Sequence, residues 1–198
     1  WTSGEVADFE LKATIRVIGD NNSGIQYRSR KLPENGPWAI TGYQCDIHPA
    51  TQHTGMTYEE KGRGIFGLNG TNVLLDPEGA RWLISEHDPV EVDTAEWQEY
   101  TIIAQGNHLI HKVNGKVTST MTDYHEEGRA LGGLVAIQLH RGNANTVEVK
   151  DIQVRNHEGG EIIAWDPDNL PEGMTRIDRP KTGNPQGTGP IQKGAKKE

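Results

Sequence analysis

A single cysteine, Cys45, excludes an internal disulfide, so this 198-residue chain must hold its fold by packing alone. Apolar residues make up only 33% of the sequence, and no apolar run approaches the length of a membrane span. Positive charge is scarce. The formal net charge is −8, and basic residues cluster only at the very end, around Lys196 and Lys197. Such a chain has no electrostatic reason to seek nucleic acid or an anionic membrane. Motifs of several enzyme classes are missing as well. There is no glycine-rich phosphate loop opening a helix, no Gly-x-Ser-x-Gly elbow and no His-Glu-x-x-His. A signal segment is not seen. The sequence opens on Trp1 rather than methionine, which is expected of a processed or trimmed fragment.

Turn formers are abundant, with 24 glycines and 10 prolines, and 5 tryptophans accompany them. That balance suits a sheet protein with many turns. Residues 6–18 alternate cleanly: Phe9, Leu11, Ala13, Ile15 and Val17 share one face, and Glu10, Lys12, Thr14 and Arg16 the other. Strands are also expected over 23–29, 42–48, 54–60, 81–85, 97–105, 109–113, 116–121, 134–140 and 146–155. Asn114-Gly115 between two such runs is a strong hairpin signal, since both residues tolerate positive φ. The apolar phase of the last strand slips from Val147 and Val149 to Ile152 and Val154, which predicts a β-bulge near Lys150-Asp151. Residues 65–80 read as a long irregular loop. The expected organisation is an all-β, two-sheet antiparallel sandwich over 1–165, followed by a Pro/Gly-rich extended tail over 166–198.

The stretch with most chemistry is Gly42-Tyr43-Gln44-Cys45-Asp46-Ile47-His48. Its alternation puts Gln44, Asp46 and His48 on one face. Other strands offer Gln26 with Arg28, and Gln138 with His140. If these strands are neighbours, their polar sides form one surface of amides, an arginine, a carboxylate and two imidazoles. Amides and arginine suit bidentate bonds to vicinal hydroxyls, and imidazole and carboxylate can move protons near neutral pH. A sugar is the ligand class that needs this mix, with Tyr27, Tyr43, Tyr58, Trp82 and Trp97 as candidate platforms. A water-facing sheet face would show the same pattern. Asp46 and His48, two apart on one face, have a spacing that admits a divalent metal ion, although no third ligand stands out. His108 and His111, three apart, point to opposite faces. Glu59 and Glu60 also face opposite ways, so only one of them could serve a given site.

A longer series of motifs carries a resemblance. In order they are Asp8-Phe9-Glu10-Leu11, Asn22-Ser23-Gly24-Ile25-Gln26-Tyr27-Arg28, Gly42-Tyr43-Gln44-Cys45-Asp46, and Tyr58-Glu59-Glu60-Lys61-Gly62-Arg63-Gly64. Trp97-Gln98-Glu99-Tyr100, Asn114-Gly115, Gly133-Leu134-Val135-Ala136-Ile137-Gln138-Leu139-His140 and Val149-Lys150-Asp151-Ile152 follow. Over residues 1–156 the sequence resembles the 3-keto-disaccharide hydrolase domain family. The resemblance implies a concanavalin A-like lectin/glucanase jelly roll, expected here to lack its N-terminal strand, and a periplasmic or secreted bacterial protein with a sugar or oligosaccharide ligand. It also implies cleavage of 3-keto-glycosides by abstraction of the C2 proton and elimination, which requires a base, a carbonyl polariser and an acid. On that footing His48 or Asp46 is expected as base, Arg28 with Gln138 at the carbonyl and His140 as acid. Gln44, Gln26, Tyr58, Arg63 and Trp97 are expected to bind substrate. The competing expectation is a lectin-like module without turnover, since the same sandwich serves both. A retaining or inverting hydrolase using Asp46 with Glu59 or Glu60 is a further alternative.

Overall fold

A computed structural model describes residues 4–178. The chain begins with β1 (Glu5–Val6), β2 (Phe9–Gly19), β3 (Ser23–Lys31), β4 (Ile40–Ile47) and β5 (Thr57–Glu60). It continues through β6 (Gly64–Gly67), β7 (Thr71–Leu75), β8 (Arg81–Glu86), β9 (Gln98–Gln105) and β10 (His108–Val113). β11 (Lys116–Asp123), β12 (Gly133–Ile137), β13 (Asn145–Asn156) and β14 (Thr175–Ile177) complete it. The strands form two sheets, one of six in the order β1-β12-β3-β4-β5-β6 and one of eight in the order β13-β2-β9-β10-β11-β7-β8-β14. Neighbours are antiparallel except β7, which runs parallel to β11. The result is an all-β two-sheet sandwich, as the alternating strands predict.

The core lies between the sheets. The apolar face of β2 meets it through Phe9, Leu11, Ala13, Ile15 and Val17, all buried. From the smaller sheet, Ile25, Tyr27, Tyr43, Cys45 and Ile47 face back. Tyr27 and Tyr43 stack with centroids 5.7 Å apart, and Phe9 meets Tyr27 edge-on. Both tyrosines are therefore core residues and no platform for a ligand. The Tyr27 hydroxyl reaches Nε2 of His111 on the opposite sheet at 2.7 Å, which satisfies two polar groups that burial would otherwise penalise.

Some boundaries differ from the sequence reading. Residues 65–80, read as an irregular loop, contain β6 and β7. β6 is buried throughout, so it has no alternation to display. The partner of β7 is β11, far along the chain, so its pairing has no local signature. β12 ends at Ile137, although the backbone N–H of Gln138 still donates to the Gly24 carbonyl at 2.9 Å. In β13 the predicted bulge is present: the register shifts between Lys150 and Gln153, and Asp151 takes φ 53°. Within the stretch expected as an extended tail, β14 pairs with β8 at the edge of the larger sheet. Residues 179–198 of that stretch lie outside the described residues.

Candidate functional site

The smaller sheet turns one face to the core and the other outward. On the outward face, cross-strand pairing sets Gln26 opposite Gln44, Gly24 opposite Asp46 and Tyr58 beside Gln44. The missing side chain at Gly24 matters. A Cβ there would fall 2.6 Å from Cδ of Gln44, so the glycine lets the Gln44 side chain lie flat across the strand. In that position Gln44 Nε2 donates to Asp46 Oδ1 and, at 3.4 Å, to Gln138 Oε1. Gln138 Nε2 in turn donates to Glu60 Oε2 at 3.3 Å. Asn22, Gln44, Asp46, Tyr58, Gln138 and His140 line one narrow cleft with Met56 and Glu60.

This outward face is not a solvated one. Gln26, Gln44 and Asp46 are 4%, 2% and 3% exposed. Burial, with Glu60 nearby, pushes the Asp46 carboxyl up to about 8, against the opposing hydrogen bond from Gln44. Burial also raises Glu60, which Lys61 and the Gln138 hydrogen bond partly offset. His140 moves the other way. Burial lowers its pKa below the ordinary imidazole value, so the ring is neutral at pH 7. Asn21 fixes its tautomer. The Asn21 amide nitrogen donates to the carbonyls of His140 and Asn143, which leaves its Oδ1 to accept from the Asn22 N–H and from His140 Nδ1 at 3.1 Å. The proton of the neutral ring is thus on Nδ1, and Nε2 carries the lone pair. Gln44 Oε1 is buried with no hydrogen-bond partner, a position suited to a ligand hydroxyl.

Of the residues singled out from sequence, Asp46, His140, Gln44, Gln138 and Tyr58 converge on this cleft, and Gln26 lies buried beside Gln44. The others are directed elsewhere. His48 sits just past β4, where its Nδ1 accepts from the Ala50 N–H at 2.9 Å and its ring meets His53 edge-on at 5.0 Å. Arg28 occupies a bulge, with φ 46° and a register shift between Tyr27 and Arg30. The shift breaks the alternation that would have aligned it with Gln26. Its buried guanidinium donates instead to the carbonyls of Ala7, Gly106 and Ala130 and to Asp8. Arg63 points toward the interior at one end of the sandwich. It bonds Glu59 and Asp123 at 2.8 Å each and lies over the Phe66 ring. Trp97 stacks against Arg16 and Lys150, side chains of the larger sheet's outer face.

Sequence reasoning gave too little weight to Glu60 and passed over Asn21. The signal for Glu60 was present, because Tyr58 and Glu60 alternate on the strand paired with β4. Glu59, its neighbour, faces inward to Arg63. No comparable signal marks Asn21, whose contact with His140 spans 119 residues. Asp46 and His48 gather no metal centre around them: among the described residues, no group of three or more His, Cys, Asp or Glu side chains could hold a metal ion.

Among solved structures, the fold is similar to the carbohydrate-binding module CBM66 from Bacillus subtilis, at 12% identity and a TM-score of 0.50, with 78% of each chain covered. It is also similar to a candidate glycosyl hydrolase from Parabacteroides distasonis ATCC 8503, at 18% identity and a TM-score of 0.50, covering 77% of this chain and 80% of that one. Identities this low speak for the fold alone. No curated protein matches the sequence. The match to a family model spans the whole sandwich up to β13: over residues 1–155 the chain belongs to the 3-keto-alpha-glucoside-1,2-lyase-like domain family.

Proposed function

We propose that this domain cleaves glycosides bearing a ketone at C3 of the sugar, by elimination across C1 and C2 followed by addition of water. The observation that carries the reading is the convergence of Asp46, His140, Gln44 and Gln138 on one buried polar cleft, within the span that matches the family. The chemistry needs few parts. A C3 ketone acidifies the proton on C2, and the glycosidic oxygen on C1 is the leaving group. One neutral base and one protonated acid suffice if both reach the same side of the sugar.

Burial supplies that pair by moving two groups in opposite directions. His140, neutral with its lone pair on Nε2, is the base. Asp46, protonated at pH 7, is the acid. This exchanges the roles that the sequence alone suggests for them. The C2 proton passes to His140 Nε2. The C2–H electron pair becomes the C1=C2 double bond as the C1–O bond breaks, and Asp46 gives its proton to the departing oxygen. Gln138, with one amide hydrogen held by Glu60, directs the other at the oxygen on C3, where negative charge develops. Hydration reverses the proton traffic. Asp46 takes a proton from water as the hydroxyl adds to C1, and His140 returns a proton to C2.

The test is purified protein incubated with 3-keto-trehalose beside trehalose, with product analysis. Only the keto form is expected to be cleaved. The pH dependence of kcat/KM is then expected to be bell-shaped, with an acid limb below pH 6.5 from His140 and an alkaline limb near pH 8 from Asp46. Asp46→Asn and His140→Gln should each reduce turnover by about 100-fold or more. Full turnover in both variants would sink the assignment. A second reading is a saccharide-binding module without turnover, since a carbohydrate-binding module is built on a similar sandwich. Binding of both sugars with no product from either would select it.

A further inference from the structure

A second cavity lies away from the cleft and shares no lining residue with it. It has a volume of about 520 Å³, within the roughly 300–1,000 Å³ typical of small-molecule sites. Three segments meet there: the turn between β7 and β8, the stretch after β11 and the stretch after β13. Tyr124 and Trp165 form part of the wall, edge to face, with centroids 5.0 Å apart and planes at 69°. Around them stand the carboxylates Glu78, Glu126 and Glu127 and the guanidinium of Arg129.

The wall bearing Trp165 is anchored from within. Asn107, 2% exposed, grips Ile163 by both backbone groups: its Nδ2 donates to the Ile163 carbonyl at 3.0 Å and its Oδ1 accepts the Ile163 N–H at 2.8 Å. A few residues earlier, Asp8 Oδ2 accepts the Gly160 N–H at 2.7 Å. The close approach requires glycine, since a Cβ at position 160 would fall 2.5 Å from that oxygen. The Tyr124 side of the wall is fixed by the Tyr124 N–H donating to the Leu75 carbonyl at 2.9 Å. The segment 162–165 also lies beyond the residues 1–155 that match the family.

We infer that this pocket is a second saccharide site, one that holds a sugar unit without reacting it. The rings offer a face to the apolar C–H side of a pyranose. The carboxylates accept from hydroxyls, and Arg129, whose Nη2 already bonds Glu126 Oε1 at 3.2 Å, has further N–H groups to donate to a ring or hydroxyl oxygen. A neutral polyhydroxylated ligand satisfies both kinds of partner, whereas an anion would meet three carboxylates. In taking a saccharide as the ligand class, the inference rests on the carbohydrate reading above. A sugar chain held here would raise the local concentration of glycoside at the cleft.

Calorimetric titration of the full chain with unoxidised maltose, cellobiose, trehalose and sucrose tests the site. At least one disaccharide is expected to bind. Trp165→Ala should weaken that binding tenfold or more, and so should Glu78→Arg, a rim substitution at an exposed position that leaves the core untouched. Asp46→Asn should bind as the parent does, and Trp165→Ala should keep its turnover of 3-keto-trehalose. The inference is overturned if none of the four sugars binds, if binding survives in both Trp165→Ala and Glu78→Arg, or if it is lost in Asp46→Asn. Loss of this site with keto-sugar cleavage intact leaves the proposed activity standing. Trp165-dependent binding without any cleavage removes that activity and leaves this site.

Discussion

Asp46 is a carboxyl group that the folded chain favours in its protonated form. Its pKa is raised to about 8, first by burial and then by the charge of Glu60. In an unfolded chain the same group would titrate near 3.9. Because the folded value is the higher one, the native state binds more protons than the unfolded state across the interval between them. The stabilisation linked to that proton is complete below the unfolded value and is lost as pH rises toward 8. Asp46→Asn keeps an acceptor for Gln44 and removes the ionisation. Its unfolding free energy should nearly match that of the parent near pH 4 and exceed it by on the order of 5 kcal/mol at pH 8. Denaturant unfolding at the two pH values measures this directly. A variant that gains stability while losing turnover would mark Asp46 as a group kept for chemistry at a cost to the fold. An equal effect at both pH values would mean that the carboxyl does not titrate as described.

At the scale of elements, alternation made most strands legible and bulges decided which side chains meet. Gln44 and Asp46 could be placed on one face because β4 alternates without interruption. Arg28 could not, because a bulge leaves no trace in the residue pattern when the side chains around it remain polar. The slip in β13 was readable because it shifts apolar residues, Val149 and then Ile152, out of phase. β6 and β7 escaped notice because one is buried on both sides and the other pairs across the sequence. The bulge at Arg28 also alters what its mutation should do. The guanidinium is the shared donor for three carbonyls and for Asp8, and its side chain is 1% exposed. Arg28→Ala would leave Asp8 without its cation and several buried acceptors without a donor. A loss of roughly 3–5 kcal/mol in stability is expected. Below the lowered melting temperature, KM for a keto-glycoside should stay at the parent value. A large rise in KM with stability unchanged would return Arg28 to the ligand.

For the whole molecule, the sequence indicated a sandwich with one polar face but not how its layers are joined. Apolar contact fills most of the space between the sheets, and one end also carries a charged link. Arg63, in the turn between β5 and β6 of the smaller sheet, bonds Glu59 of that sheet and Asp123 at the end of β11 in the larger one. Tyr43, in β4, donates its hydroxyl to the same Asp123 at 2.5 Å. Arg63, expected to bind substrate, is flanked by glycines, as a flexible corner reaching for a ligand would be. Gly62 instead allows close packing, since a Cβ there would fall 2.5 Å from Oε2 of Glu59. Removing the cation strands two carboxylates in a largely buried setting, a situation that costs more than the pair contributes when intact. Arg63→Ala should therefore lower the unfolding free energy by roughly 3–5 kcal/mol. The link joins both layers, so the loss should appear as one cooperative transition moved to lower denaturant, with the two sheets still melting together. The outward cleft lies on the far side of the smaller sheet, so kcat of the folded variant should remain near that of the parent. An unmoved midpoint would mean that the apolar core alone holds the layers. Two separate transitions would mean that the charged end is what couples them.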